Sequence, residues 1–560
     1  MRKGVKKLTA LTLTTVMSAG VILAGCGNKQ TNTNETSTVE DSDGKKKITV
    51  GLQANSFIND YDENYFTKLL EERLGVELEF YMLPQDTTEL RTKVSLMVTN
   101  GKDMPDVIIC DNSLTSETIL DYGSKGAFLK LNDYINDKEK APNFNAIPEE
   151  DKTAMIEAIT CADGNIYSLP KYEPETWNLT PNRLFINGAW LEKLGLEVPK
   201  TTDDLYEVLK AFRDKDPNGN GVQDEIGVYG YSGGGYGQQT QWALMNSFVF
   251  YNGGGQNGGL AIDDNGKVIA PFTTEGWKKG LEYMNMLYKE GLLAASMFTD
   301  DETQFKATLN ADTSVVGLVS AGSTGNWPDV DNNKNFQELD IIRPLEGPDG
   351  LAYTPYSEYT PSNNFFITSA CKDPDLAFQL GDLFFDSEIS KSSRFGEEGV
   401  DWTEDPEECA KISNALVTAG LYDKINLVYN TNIWAENSSQ FWHNVAPRYA
   451  SLELGNTIGN GLKGYDPNLK SVMLNAFCYE YYYPAHPDVV LPVLHYTIEE
   501  VNKISQAITN IKDYVNQSTA EFITGARSTT DDWDSYIKDL NNMELQTWLK
   551  CAQTAYDRMK

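Results

Sequence analysis

From Ile48 onward, short β-type runs alternate with stretches of helical periodicity, and this alternation restricts the chain to few folds. Ile48-Thr49-Val50-Gly51-Leu52 has a strand pattern, Tyr65 to Leu74 has helical spacing, and Val76 to Tyr81 is again strand-like. Leu90 to Val98 follows as a helix, and Asp106-Val107-Ile108-Ile109-Cys110 as a fully buried strand. Strands separated by helices build a parallel sheet covered on both faces, so an α/β lobe is expected. The pattern recurs with Arg183 to Ile186 and Gly227 to Tyr231 as strands around helices at Ala189 to Leu194 and Thr202 to Arg213, then a strand at Val315 to Val319. The tail is helical. Ile498, Val501, Ile504, Ile508, Ile511 and Val515 form one apolar stripe, and Thr497 with Glu500 makes a capping box.

Ahead of this body lies a leader. Arg2, Lys3, Lys6 and Lys7 precede an uncharged, mostly apolar run from Leu8 to Leu23, which closes on Leu23-Ala24-Gly25-Cys26. A basic start, a short apolar stretch and small residues at its end make a secretory signal (1–25). The closing tetrad resembles a bacterial lipobox, in which Cys26 is lipidated and becomes the mature N-terminus. Acyl chains contribute on the order of 0.8 kcal/mol per buried CH₂, so several on one cysteine hold a protein to a bilayer durably. The expected location is the outer face of the cell membrane. Residues 26–47 are polar and lack apolar periodicity, as a flexible tether would. After Cys26 no apolar run approaches the roughly 18 residues of a membrane span.

A mature chain of roughly 530 residues exceeds the usual 100–200 of one domain. Losing residues 1–25 removes four positive charges and no negative ones, taking the formal net charge from −34 to −38. Such a surface repels phosphate backbones, which argues against nucleic acid as a partner. Six cysteines besides Cys26 are scattered and form no CxxC pair, so zinc and redox motifs are excluded.

The densest local chemistry is Asp214-Lys-Asp216-Pro-Asn218-Gly219-Asn220-Gly221-Val222-Gln-Asp224-Glu225. Calcium takes six to eight oxygen ligands, and alternating Asp and Asn with glycines let a short loop wrap around one point. Two registers are open. One begins at Asp214 with Gly219 at the bend; the other uses Asp216, Asn218, Asn220, the Val222 carbonyl, Asp224 and Glu225, with Gly221 at the bend. A helix enters and a strand leaves, so a structural calcium ion is expected rather than a sensor.

Catalytic patterns are sparse. The three histidines sit in no HExxH motif, there is no GxSxG elbow, and Gly253 to Gly258 matches GxGxxG without a helix to cradle phosphate. Trp177, Trp242, Trp327 and Trp402 lie beside amides, carboxylates or glycines in segments that read as loops. Flat rings next to fixed polar groups suit sugars.

These features in order resemble the extracellular solute-binding lipoproteins of bacterial ABC importers, closest to their large carbohydrate-binding group. The resemblance is carried by Leu96 to Val107, Gly126 to Asp133, Asp163 to Pro170, Trp190 to Gly195, the calcium-type loop, Tyr288 to Leu292, Gly396 to Val400, Phe522 to Gly525 and Trp533-Asp534. It implies a two-lobed periplasmic-binding-protein-like fold with a ligand cleft between the lobes, a helical C-terminal extension, and calcium in the register beginning at Asp216. It also implies a monomer that closes on a carbohydrate, expected to be an oligosaccharide, and delivers it to permease subunits without turning it over. The expected division is 48–170 in lobe 1, 171–300 in lobe 2 with the calcium loop, 301–365 returning to lobe 1, and 366–560 in lobe 2. Cleft candidates are Asn55 and Asp111, just after strand ends, with Trp177, Trp242, Trp327 and Trp402 as stacking platforms. The rival readings are a surface-tethered polysaccharide hydrolase or lyase and a sensory or adhesive lipoprotein.

Overall fold

The computed structural model describes residues 45–560 except 102, 331, 422–423, 432, 434–436 and 462–469. The leader, the lipobox with Cys26 and nearly all of the tether lie outside the described residues. Among the described residues fifteen strands follow in chain order. They are β1 (Lys46–Gln53), β2 (Val76–Leu83), β3 (Val107–Ile109), β4 (Leu169–Tyr172), β5 (Arg183–Asn187), β6 (Ile226–Tyr229), β7 (Ala261–Ile262) and β8 (Val268–Ile269). Then come β9 (Val316–Ala321), β10 (Leu339–Ile341), β11 (Ser362–Ile367), β12 (Trp402–Thr403), β13 (Leu427–Tyr429), β14 (Arg448–Tyr449) and β15 (Ile458–Asn460).

Two sheets organise two lobes. The first runs β14-β4-β11-β3-β1-β2, with β11 antiparallel among otherwise parallel neighbours. The second runs β10-β5-β9-β6, with β5 antiparallel to both neighbours and β6 parallel to β9. In the first sheet Val107 and Ile109 pack with Val50 and Leu169 on one face, while Ile108 packs with Phe366 and Tyr167 on the other. That is the two-sided burial expected of an uninterrupted apolar strand.

Local signals set the helix ends. The helix Tyr65–Leu74 starts where the Asn64 side chain accepts from the Phe66 N–H and stops at Gly75, whose φ of 67° suits glycine. The tail helix Ile498–Thr524 opens on the Thr497/Glu500 capping box. Its stripe is buried at Ile504, Ile511 and Val515, within the same core as the second sheet.

The lobe boundaries differ from the sequence expectation. Residues 301–365 do not return to the first lobe as a block: β9 and β10 pair with β5 in the second sheet, and only β11, at the end of that stretch, joins the first. The described residues of 366–460 then stay with the first lobe, since β14 pairs with β4 and the helices Pro374–Leu383 and Ser387–Phe395 pack on that core. The second lobe regains the chain by Leu474 and Cys478. An isolated strand pattern names no partner, and pairing is decided across the fold.

Candidate functional site

The crossovers fix which edges of the two sheets meet. β4 ends at Tyr172 and β5 begins at Arg183, so ten residues join the carboxyl edge of the first sheet to the edge of the second where β6 and β9 end. The return from β10 at Ile341 to β11 at Ser362 joins the same two edges. In open α/β sheets ligands bind outside the carboxyl ends of the strands, and here the crossovers join two such edges.

The crossovers are knitted together by hydrogen bonds. The Glu173 N–H donates to the Tyr359 hydroxyl at 2.7 Å. Tyr482 Oη accepts from the Leu184 N–H at 2.8 Å and donates to the Ile342 carbonyl at 2.6 Å. Thr176 donates to Asn456 at 2.9 Å.

A buried charge cluster lies at the start of the first crossover. Glu173 is bridged by Arg394 and by Arg448, the latter at 2.7 Å, and Glu175 lies 3.2 Å from Arg394. Lys171 Nζ stands 2.5 Å from Asp111 and donates to the Asn444 carbonyl at 3.0 Å. Burial works against the Glu173 charge, but Arg394 and Arg448 outweigh it and hold this carboxylate below its ordinary range. Burial, reinforced by Glu173 and opposed by Arg394, pushes Glu175 up. His443 is drawn down to about 3 by burial and by the same two arginines, so it is neutral. From Glu175 the polar chain reaches the second lobe: Asn178 donates to Glu175 at 2.7 Å and accepts from the Tyr236 hydroxyl at 2.7 Å.

Among the sequence candidates, Asn55 and Asp111 follow β1 and β3 on this edge. The Asn55 side chain accepts from the Phe57 N–H and shapes its own turn, while the Asp111 N–H donates to Gln53. Trp177 sits half-buried in the first crossover. The other three tryptophans are not cleft platforms. Trp242 packs against Tyr251 and Trp277, and Trp327 between Phe185 and Phe336. Trp402 donates to the Gly396 carbonyl under Lys391. Exposures of 3%, 1% and 1% place each inside the packing of its own lobe.

Sequence reasoning missed Lys171, Glu173, Glu175, Arg394, Arg448 and Tyr236. Arg394 and Arg448 lie 221 and 275 positions from Glu173, so no local motif could join them.

The calcium-type loop bridges the helix Thr202–Asp214 and β6. Asp214 is turned aside onto Arg213 at 2.7 Å, which favours the register starting at Asp216. Asp216 accepts from the Gly219 and Gly221 N–H groups, Asn218 from the Asn220 N–H, and Asn220 from the Val222 N–H. Asp224 accepts from both asparagine amides. Both Glu225 carboxylate oxygens are buried without a hydrogen-bond partner, and burial followed by the charge of Asp216 raises its pKa. No cluster of three or more His, Cys, Asp or Glu set to hold a metal is found among the described residues. The donors here include two amides, and an all-oxygen set around an orphaned carboxylate is the chemistry a hard cation satisfies.

Residues 58–389 match the family model of the bacterial extracellular solute-binding proteins. The chain belongs to that family. It is 26% identical over 555 residues to the fructooligosaccharide ABC transporter substrate-binding protein FusA of Streptococcus pneumoniae, covering 96% of each chain. A solved structure of FusA, described as an EF-hand mutant in complex with fructo-nystose, superposes with a TM-score of 0.69 at 23% identity over 92% of this chain and 99% of that one. A second relative, the lipoprotein LipO of Bacillus subtilis, is 27% identical over 63% of this chain and 64% of its own. The extracellular solute-binding protein of Bifidobacterium longum subsp. infantis superposes with a TM-score of 0.74 at 22% identity, covering 93% and 99%. The fold is therefore the two-lobed one of solute-binding proteins.

Proposed function

We propose that this solute-binding protein captures an oligosaccharide in the interlobe cleft and hands it, unchanged, to the permease of an ABC importer. The observation that carries the reading is the joining of two carboxyl strand edges by crossovers of ten and twenty residues. Such a joint lets lobes close on a ligand, and closure follows only if the ligand contacts both. Asp111 and Asn55 on one side, Trp177 and Asn178 in the crossover and Tyr236 on the other supply hydroxyl partners and an aromatic face. The full-length likeness to FusA supports the ligand class. The test is a thermal-shift screen over oligosaccharides, since a ligand at 100 times Kd adds about 2.7 kcal/mol, followed by chromatography of the recovered ligand. Cleaved products would instead establish the tethered hydrolase or lyase.

The same reading places the protein as a monomer at the outer membrane face, anchored through Cys26. The family and the lipoprotein relative support that location. Cys26→Ala is expected to shift it from the membrane fraction to a soluble or unprocessed form; a variant processed and retained like the parent would exclude the anchor.

Calcium is assigned here to Asp216, Asn218, Asn220, the Val222 carbonyl, Asp224 and Glu225 in a structural role. The orphaned Glu225 carboxylate and the EF-hand description of a FusA structure support it. The ion would tie the end of a helix to the start of β6. A hundredfold excess of Ca²⁺ over Kd should add about 2.7 kcal/mol, so chelation should lower the melting temperature. Asp224→Ala should melt alike with and without chelator; equal melting of the parent under both conditions would refute the site.

A further inference from the structure

We propose that the cleft selects uncharged oligosaccharides over uronic-acid ones, with the Asp111–Lys171 pair as the specificity determinant; this rests on the reading of the cleft as a carbohydrate site. A glycan carboxylate is held by an accessible cation with hydrogen bonds to spare. Buried cations are concentrated at these crossovers, and among the described residues each of those is sealed or committed; the exposed Arg91, whose Nε donates to the Ser113 carbonyl at 2.6 Å, lies outside that cluster.

Arg183, Arg394 and Arg448 are the buried arginines among the described residues, at 1%, 9% and 1% exposure. Arg394 and Arg448 are engaged by Glu173 and Glu175. Arg183 donates to the carbonyls of Trp177, Thr180 and Gly322, clamping the crossover to the rim of the second sheet. His443 adds no charge, being held neutral by its surroundings.

Lys171 remains. Its ammonium lies 2.5 Å from the Asp111 carboxylate and also donates to the Asn444 carbonyl. In that pair the Asp111 side chain is 37% exposed and the Lys171 side chain only 13%. A ligand reaching the floor therefore meets the carboxylate first. Burial also draws the Lys171 pKa below the ordinary lysine range, which weakens it further as an anion receptor.

The consequence differs by ligand class. A sugar hydroxyl is a donor, and Asp111 keeps acceptor lone pairs for it because a carboxylate offers about four. A uronate carboxylate would be set against Asp111 with no uncommitted buried cation among the described residues to offset the repulsion, and like charges brought together cost several kcal/mol. The long-range field has the same sign, given 81 acidic against 47 basic residues.

The experiment is calorimetric titration of the mature protein at low ionic strength. The probes are neutral fructo- and xylo-oligosaccharides on one side, and oligogalacturonate and alginate oligomers on the other. Binding at least about a hundredfold tighter for a neutral probe is expected. Asp111→Asn releases Lys171 and removes the exposed carboxylate; it should weaken the neutral probe about tenfold and narrow the gap to the uronates. Asp111→Ser gives the same readout if the amide variant fails to fold. Wild-type uronate binding as tight as neutral binding overturns the selectivity while leaving the carbohydrate reading intact. So does an unchanged selectivity ratio in a variant that melts like the parent. Failure of every probe of both classes to bind overturns the carbohydrate reading, and the selectivity with it.

Discussion

Arg448→Met is expected to destabilise the protein by about 3–5 kcal/mol, the usual cost of removing one partner of a buried ion pair. Arg448 is 1% exposed and bridges to Glu173 at 2.7 Å, while its other terminal nitrogen donates to the His443 carbonyl at 2.6 Å. Methionine fills similar volume, so the loss reports the charge and hydrogen bonds more than a cavity. What remains is a buried carboxylate with one guanidinium instead of two, beside Glu175, and a carbonyl stripped of its donor. The pH dependence has a definite sign. Glu173 is held below its unfolded value near 4.3, so its contribution is fully present above that pH and fades as pH falls toward about 2. The gap between parent and variant should thus be widest near neutrality and narrow on acidification below about pH 4. Glu175, pushed up by burial, acts oppositely: the native state keeps its proton longer than the unfolded chain, and stability falls as pH rises. Urea denaturation at several pH values checks both the magnitude and the narrowing. An Arg448→Met variant within 1 kcal/mol of the parent at neutral pH would mean the cluster is solvated rather than buried.

What could be read in the sequence follows the range of the interactions involved. The helix Tyr65–Leu74 was bounded by its helical spacing, and the start of the tail helix by Thr497 and Glu500, which close a box three residues apart; its apolar stripe was followed to Val515, whereas the helix runs to Thr524. Nine of the fifteen described strands, β11 among them, escaped the reading; β1, β2, β3, β5, β6 and β9 were visible as strand-like runs, with β3 as one buried on both faces. Their sheet membership was not. β9 and β11 carry similar apolar patterns, yet one pairs with β5 and the other with β3 and β4. The buried charge cluster was equally hidden, since its acids come from the first crossover and its arginines from a helix and a strand more than 200 residues later. The calcium-type loop could be proposed from sequence because its candidate oxygen donors fall within ten residues, and Asp214 lying on Arg213 fits the register beginning at Asp216. Tryptophans misled for a related reason. Polar sequence neighbours say nothing about the partner that covers a ring: Trp402 stands between Asp401 and Thr403 and is still sealed beneath Lys391.

The tryptophans provide the second large effect, because core and cleft rings respond in opposite ways to truncation. Trp327→Ala should cost about 3–5 kcal/mol of stability, the range for deleting a large buried aromatic. Its ring lies 5.5 Å from Phe185 and 5.2 Å from Phe336, and its exposure is 1%. The indole Nε1 is buried without a hydrogen-bond partner, so Trp327→Phe sheds that unmet donor and should recover much of the loss. Ligand affinity, measured on the folded fraction, should stay near the parent value in both variants. Trp177 is half-buried in the crossover beneath the cleft. Trp177→Ala should lower stability less than Trp327→Ala while weakening an oligosaccharide by about 1 kcal/mol or more, as loss of a stacking face does. Its backbone carbonyl, which accepts from Arg183 at 2.7 Å, survives the substitution and keeps the crossover clamped. Calorimetry and thermal melts on the same three variants decide the matter. If Trp327→Ala loses ligand binding but melts like the parent, that ring faces the ligand and the packing assigned to it is wrong.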